Sequence, residues 1–136
     1  MRIVVDTNRI LAALIKNGLS RKIVTSGSFD LYAPDYMLEE ISKYFDFIVA
    51  KSGMKKENVL SLLSAFIESL TIITEEEIKK HMKQAIEIMG HIDMKDAPIV
   101  ACALAVDCDA IWSDDSHFVK QKKIRIMNTK EFTELL

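Results

Sequence analysis

Carboxylates at the ends of short apolar runs are the residues of this chain best suited to chemistry. Near the start, Arg2-Ile3-Val4-Val5 leads into Asp6-Thr7-Asn8. Far downstream, Asp109-Ala110-Ile111-Trp112-Ser113 leads into Asp114-Asp115. Apolar runs of this length without alternation read as strands covered on both faces, as in a parallel sheet. In open α/β sheets the ligand crevice lies beyond the carboxyl ends of the strands. Two such strands side by side would deliver Asp6 and Asp115 to one crevice. Carboxylates gathered there raise the cost of ionising one another, and a divalent cation removes that cost.

Other acids extend the set. Met37, Leu38, Ile41, Tyr44, Phe45 and Ile48 recur at helical spacing. At about 100° per residue, Glu39 points away from that stripe and Glu40 lies near its edge, so Glu40 is the better placed to reach a crevice. Asp93 and Asp96 are spaced i, i+3, which puts them on one face of a continuous helix. Asp96 also prolongs the apolar stripe of Ile99, Val100 and Ala103. Each acid has a plainer role to weigh against ligation. Asp6 could cap the helix that follows it, and Asp93 or Asp96 could cap the helix that Pro98 opens. Ser113 is placed to hydrogen-bond a neighbouring carboxylate or a bound water. His117 reads as a surface or supporting residue, because an all-oxygen site suits Mg²⁺ or Mn²⁺. His81 and His91 show no metal-ligand spacing.

The elements that must position these acids alternate along the chain. Residues 2–6 read as a strand, 7–16 as a helix closed by Asn17-Gly18, and 20–26 as a second helix. A strand at 31–33 stops at Pro34. Helices are expected over 35–50, 56–69, 74–89 and 96–106, with Thr74-Glu75-Glu76-Glu77 as a capping segment. Strands are expected at 70–73, 110–112 and 124–127, and a last helix at 129–135. This alternation predicts one α/β domain over residues 1–136, with a central, mostly parallel sheet of four to five strands flanked by helices on both faces.

Bulk properties narrow the function. The chain has 136 residues, 49% of them apolar, with only 4 glycines and 2 prolines, enough for one domain with a real core. The formal net charge of −2 argues against a polybasic nucleic-acid binder, although Lys51, Lys55 and Lys56, then Lys79, Lys80 and Lys83, then Lys120, Lys122, Lys123 and Arg125 form local basic clusters. No apolar stretch approaches the roughly 20 residues needed to span a bilayer, so a soluble, cytoplasmic protein is expected. Cys102 lies in an apolar helical stripe as a small core residue. There is no Gly-rich phosphate loop and no nucleophile elbow. Hard oxygen ligands remain.

Taken in order, Val5-Asp6-Thr7-Asn8, Leu38-Glu39-Glu40-Ile41, Asp93-Met94-Lys95-Asp96 leading into Ala97-Pro98-Ile99-Val100-Ala101, and Ser113-Asp114-Asp115-Ser116-His117-Phe118 resemble the PIN-domain family over essentially the whole chain. The resemblance places the family's acidic quartet on Asp6, Glu40, Asp96 and Asp115. The aliphatic Ile41 after Glu40 and Phe118 three residues beyond Asp115 select those positions. Asn8 and Ser113 match accessory polar positions, and Asp93 and Asp114 are additional candidate ligands. Asp114 departs from the family pattern, in which many relatives carry a basic or neutral residue.

The resemblance implies a Mg²⁺- or Mn²⁺-dependent ribonuclease, holding one or two ions and cutting RNA, expected to be single-stranded, by attack of activated water. It also implies an antitoxin partner and a homodimer, as in small VapC-type toxins. Arg9, Lys120, Lys122, Lys123 and Arg125 are candidates for guiding the RNA backbone. The alternative is a non-catalytic RNA- or protein-binding module of the same fold. A phosphoryl-transfer protein on a receiver-like or haloacid-dehalogenase-like sheet lacks support, because Asp6 is preceded by Val4-Val5 and followed by Thr7-Asn8.

Overall fold

The most apolar segments of the chain lie side by side in the middle of a five-stranded sheet. The computed structural model describes all residues, 1–136. Its strands are β1 (Arg2–Val5), β2 (Asp30–Pro34), β3 (Leu70–Ile73), β4 (Ala110–Trp112) and β5 (Ile126–Met127), all parallel, in the order β3-β2-β1-β4-β5. Starting from β1, the chain builds outward through β2 and β3, then returns to the other side of β1 for β4 and β5. The β1/β4 junction is therefore the topological switch point, where open α/β sheets form their crevice.

Pleating sends alternate residues to opposite faces. Ile3 and Val5 of β1, with Ala110 and Trp112 of β4, enter one core. That core is closed by α1 (Thr7–Ile15), α2 (Leu19–Thr25), α3 (Tyr36–Lys43), α4 (Phe45–Ser52), α5 (Lys56–Ser69) and α9 (Thr129–Glu134). Val4 and Ile111 enter the other core, under α6 (Glu75–Lys79), α7 (Met82–Met89) and α8 (Ala97–Val106). Cys102 is fully buried in this second core. The two-sided burial explains why these strands carry no polar alternation.

Several boundaries differ from expectation, among them that of β2, which runs through Pro34 instead of stopping before it. The helix expected over 35–50 is two helices, broken at Tyr44, whose backbone leaves helical geometry at φ −102° and ψ 13°. Its apolar stripe runs across the break, so periodicity alone does not mark it. The helix expected over 74–89 breaks at Lys80-His81, with His81 at φ −113° and ψ 0°. Asp93 and Asp96 do not share one continuous helix either. A single 3-10 turn, Met94–Asp96, separates them, and the Asp93 carboxylate accepts the Lys95 N–H at 3.0 Å. Finally, β5 is shorter than expected because the buried Gln121 side chain takes both backbone groups of Ile124. Its Nε2 donates to the Ile124 carbonyl at 2.7 Å and its Oε1 accepts the Ile124 N–H at 2.9 Å.

Candidate functional site

Pairing of β1 with β4 sets the geometry of the acid cluster. Val5 lies opposite Trp112, and the next residue's N–H, that of Asp6, donates to the Trp112 carbonyl at 3.0 Å. Ser113 then stands beside Asp6, and its hydroxyl donates to Asp6 Oδ2 at 2.8 Å. The same hydroxyl accepts the Asp115 N–H at 3.0 Å. Asp115 in turn accepts the His117 N–H at 2.8 Å, closing a tight turn that fixes its side chain. Asp6 occupies the N-cap position of α1 without making a side-chain capping bond. With 9% of its surface exposed, it is held instead by Ser113, itself 2% exposed.

Asp96 and Glu40 reach this point from opposite faces of the sheet. Asp96 stands at the N-cap of α8 and also makes no capping bond. Its Oδ2 is buried with no hydrogen-bond partner. Burial pushes Asp96 up to about 6 from an ordinary value of 3.8, and the charges of Asp93, Asp115 and Asp6 act in the same direction, against His117. Burial also raises Asp6, with Asp115 adding to the effect, while Ser113, the Asn8 N–H and Arg9 oppose it. Glu40 is raised by burial and by Asp6, and Lys43 offsets part of this. Asp6, Glu40, Asp96 and Asp115 are thus linked by mutual repulsion. Glu39 is exposed, as its place on the helical wheel requires.

Asp114 faces elsewhere. It accepts the Arg9 guanidinium at 2.6 Å, the Thr129 N–H at 2.7 Å and the Thr129 hydroxyl at 2.7 Å. Both of its oxygens therefore tie β4 to α1 and α9. Arg9 makes that contact through Nη1. Asn8 is exposed beside Glu40, lining a groove of about 340 Å³ between α1 and α4. Lys120, Lys122, Lys123 and Arg125 are exposed on the segment around Gln121.

The structure adds Tyr36 to the neighbourhood and places His117, read above as a surface or supporting residue, beside Asp93. Tyr36 lies one helical turn before Glu40, and its phenol is pushed upward by burial first, then by Glu40, Cys102, Asp6 and Asp96. It therefore stays protonated beside the acids. The i, i+4 spacing of Tyr36 and Glu40 is the one sequence signal for it. His117 Nδ1 lies 3.1 Å from Asp93 Oδ2. Asp93, Asp96 and His117 each present a ligand atom within 4.8 Å of the others', so this histidine is closer to the acids than its spacing in the sequence implies.

The PIN domain family model matches residues 4–132. The chain belongs to the PIN-domain family. Its fold matches a chain in the crystal structure of VapBC2 from Rickettsia felis bound to a DNA fragment from their promoter. The TM-score is 0.64 at 19% identity, over 94% of this chain and 98% of that one, a likeness of fold. No curated protein matches the chain in sequence. No helix of this PIN domain is long and apolar enough to cross a membrane.

The raised carboxylates predict how metal-free stability depends on pH. The folded chain holds a proton on Asp96 more tightly than the unfolded chain does, and Asp6 and Glu40 act in the same direction. Their contribution is favourable at low pH and is lost as pH rises from about 4 through about 6. In EDTA, Asp96→Asn should raise Tm at pH 7.5 and flatten its fall with pH over this range, as read by thermal denaturation. A lower Tm in the variant would contradict the repulsion.

Proposed function

We propose that this PIN domain is a divalent-cation-dependent endoribonuclease, with Asp6, Glu40, Asp96 and Asp115 as its catalytic and metal-holding acids. The observation that carries the reading is the buried, unpartnered Asp96 Oδ2 amid carboxylates that repel one another at the switch point. A buried acceptor without a partner is costly, and a cation answers both that deficit and the repulsion. The donor set fits hard ions such as Mg²⁺ or Mn²⁺. Asp93 is an additional candidate ligand, whereas Asp114 is occupied by Arg9 and Thr129.

When bound, such an ion acidifies a water and offsets negative charge on phosphoryl oxygens. The chain's own groups prepare the site for it. Ser113 orients Asp6 and Asp115 together through one hydroxyl. The turn at His117 keeps Asp115 from rotating away. Tyr36 stays protonated and keeps a neutral donor close to the acids.

A toxin role, restrained by an antitoxin, completes the reading. It is supported by family membership, by the VapBC2 neighbour and by the groove beside Asn8 and Glu40. Tyr44 and Phe47 line that groove with 45% and 55% of their surfaces exposed. A partner segment laid there would cover both aromatics and close over the acids.

Purified protein should cut a mixed single-stranded RNA with Mn²⁺ and not with EDTA, leaving 5′-phosphate and 3′-hydroxyl ends. Asp96→Asn should lower the rate by more than about 100-fold, beyond the effect typical of an outer-shell partner. Cyclic 2′,3′-phosphate ends, or an undiminished rate in Asp96→Asn, would contradict the mechanism. Induced expression in a bacterial host should arrest growth with the wild type but not with Asp96→Asn. Equal growth of the two, with RNA cleavage intact in vitro, would remove the toxin role and leave the nuclease.

A further inference from the structure

We propose that the groove between α7 and the Phe118–Ile124 segment holds the phosphate backbone of the RNA strand beside the acid cluster, an inference that rests on the nuclease reading above. The physical need comes first. A cluster of carboxylates in a chain of net charge −2 repels a polyanion, so without bound metal affinity for RNA must come from cations outside the cluster.

This groove, about 690 Å³, carries such cations. Lys120, Lys122 and Lys123 line one side, His91 and Glu87 the other, and Glu87 is the only acid in its walls. All three lysines are exposed. The lysine–carboxylate pairs of the chain are Lys79–Glu75 and Lys80–Glu77, so the groove lysines have no carboxylate partner. Lys122 Nζ reaches only the Val119 carbonyl, at 3.3 Å.

The segment bearing them is built rather than merely solvated. Gln121, 6% exposed, turns inward between Lys120 and Lys122. Its Nε2 donates to the carbonyls of Phe118 at 2.9 Å and Ile124 at 2.7 Å. Its Oε1 accepts the N–H groups of Lys123 at 3.0 Å and Ile124 at 2.9 Å. One buried amide thus satisfies backbone groups on both sides of the turn and fixes the path of the lysine backbone in advance of binding. Preorganisation of this kind reduces the entropy lost on association. Lysines act on phosphates as point charges without reading sequence.

Both walls lead to the acids. His91 stands just before Asp93, and Lys120 follows His117, which bonds Asp93 at 3.1 Å. Three residues of extended chain span at most about 10 Å, so the Lys120 end of the groove lies near His117 and Asp93, and Leu104, toward the C-terminal end of α8, marks its far end. Arg125 is not part of its lining.

The test measures binding in EDTA, where no turnover occurs. A labelled single-stranded RNA is titrated with wild type, with Lys120→Ala/Lys122→Ala/Lys123→Ala, and with Gln121→Ala, at several salt concentrations. Thermal denaturation checks the fold of each. The triple variant should bind about tenfold or more weakly, and its slope of log affinity against log salt should be shallower by about 2, from roughly 0.7 for each phosphate that is no longer neutralised. Gln121→Ala should weaken binding while keeping the wild-type slope, because it loosens the segment without removing charge. Unchanged affinity and slope in the folded triple variant would overturn the proposal, as would a wild type that binds no RNA. In a parallel titration with polyglutamate, loss of its binding in the triple variant with RNA affinity retained would also overturn the proposal and reassign the groove to an acidic polypeptide. Lysine-dependent binding without cleavage in Mn²⁺ would overturn the nuclease reading and support the groove. Cleavage with an unchanged slope would do the reverse.

Discussion

Everything at the candidate site depends on the parallel pairing of β1 with β4. That pairing sets Val5 against Trp112 and so puts the residues that follow, Asp6 and Ser113, side by side at the switch point. The Ser113 hydroxyl joins them at 2.8 Å and also holds the Asp115 backbone. A slip of one residue would exchange the side chains that β1 sends to the two cores and part Asp6 from Ser113. In this register Ile3 and Val5 fill one core and Val4 the other. The same choice that fills the two cores aims the acids.

The acids are held against their own electrostatics. Burial and like charge raise Asp6, Glu40 and Asp96 together, and two of them sit at helix N-cap positions without capping. Capping would have used carboxylate oxygens; instead Asp6 Oδ2 accepts the Ser113 hydroxyl and Asp96 Oδ2 stays without a partner. Asp114 shows the contrasting arrangement one residue away from Asp115. It accepts three hydrogen bonds from Arg9 and Thr129 and anchors α9, beside Trp112, whose indole N–H reaches the same Thr129 hydroxyl at 3.0 Å. Of two adjacent aspartates, one is spent on structure and the other faces the cluster.

Much of this arrangement is legible in the residues. The apolar runs before Asp6 and Asp115 mark central strands because burial on both faces leaves no room for polar alternation. Glu40 is distinguished from Glu39 by its angle on the helix, and the two differ in burial accordingly. What escapes the sequence depends on contacts between distant residues. The breaks at Tyr44 and His81 carry no glycine or proline. The i, i+3 pairing of Asp93 and Asp96 assumes one helix, whereas a 3-10 turn joins them to α8. The short β5 follows from the inward turn of Gln121, which has no pattern in the sequence. Tyr36 joins the acids only because the fold sets α3 beside Asp6 and Asp96.

The central claim is that these carboxylates are gathered to hold a divalent cation. Crystals grown with Mn²⁺ and measured at the manganese absorption edge test it directly. The account predicts an anomalous peak bonded to Asp6, Asp96 and Asp115, with Glu40 bonded or close by. A map without a peak there, or with one only between Asp93 and His117 and away from Asp6, would contradict it.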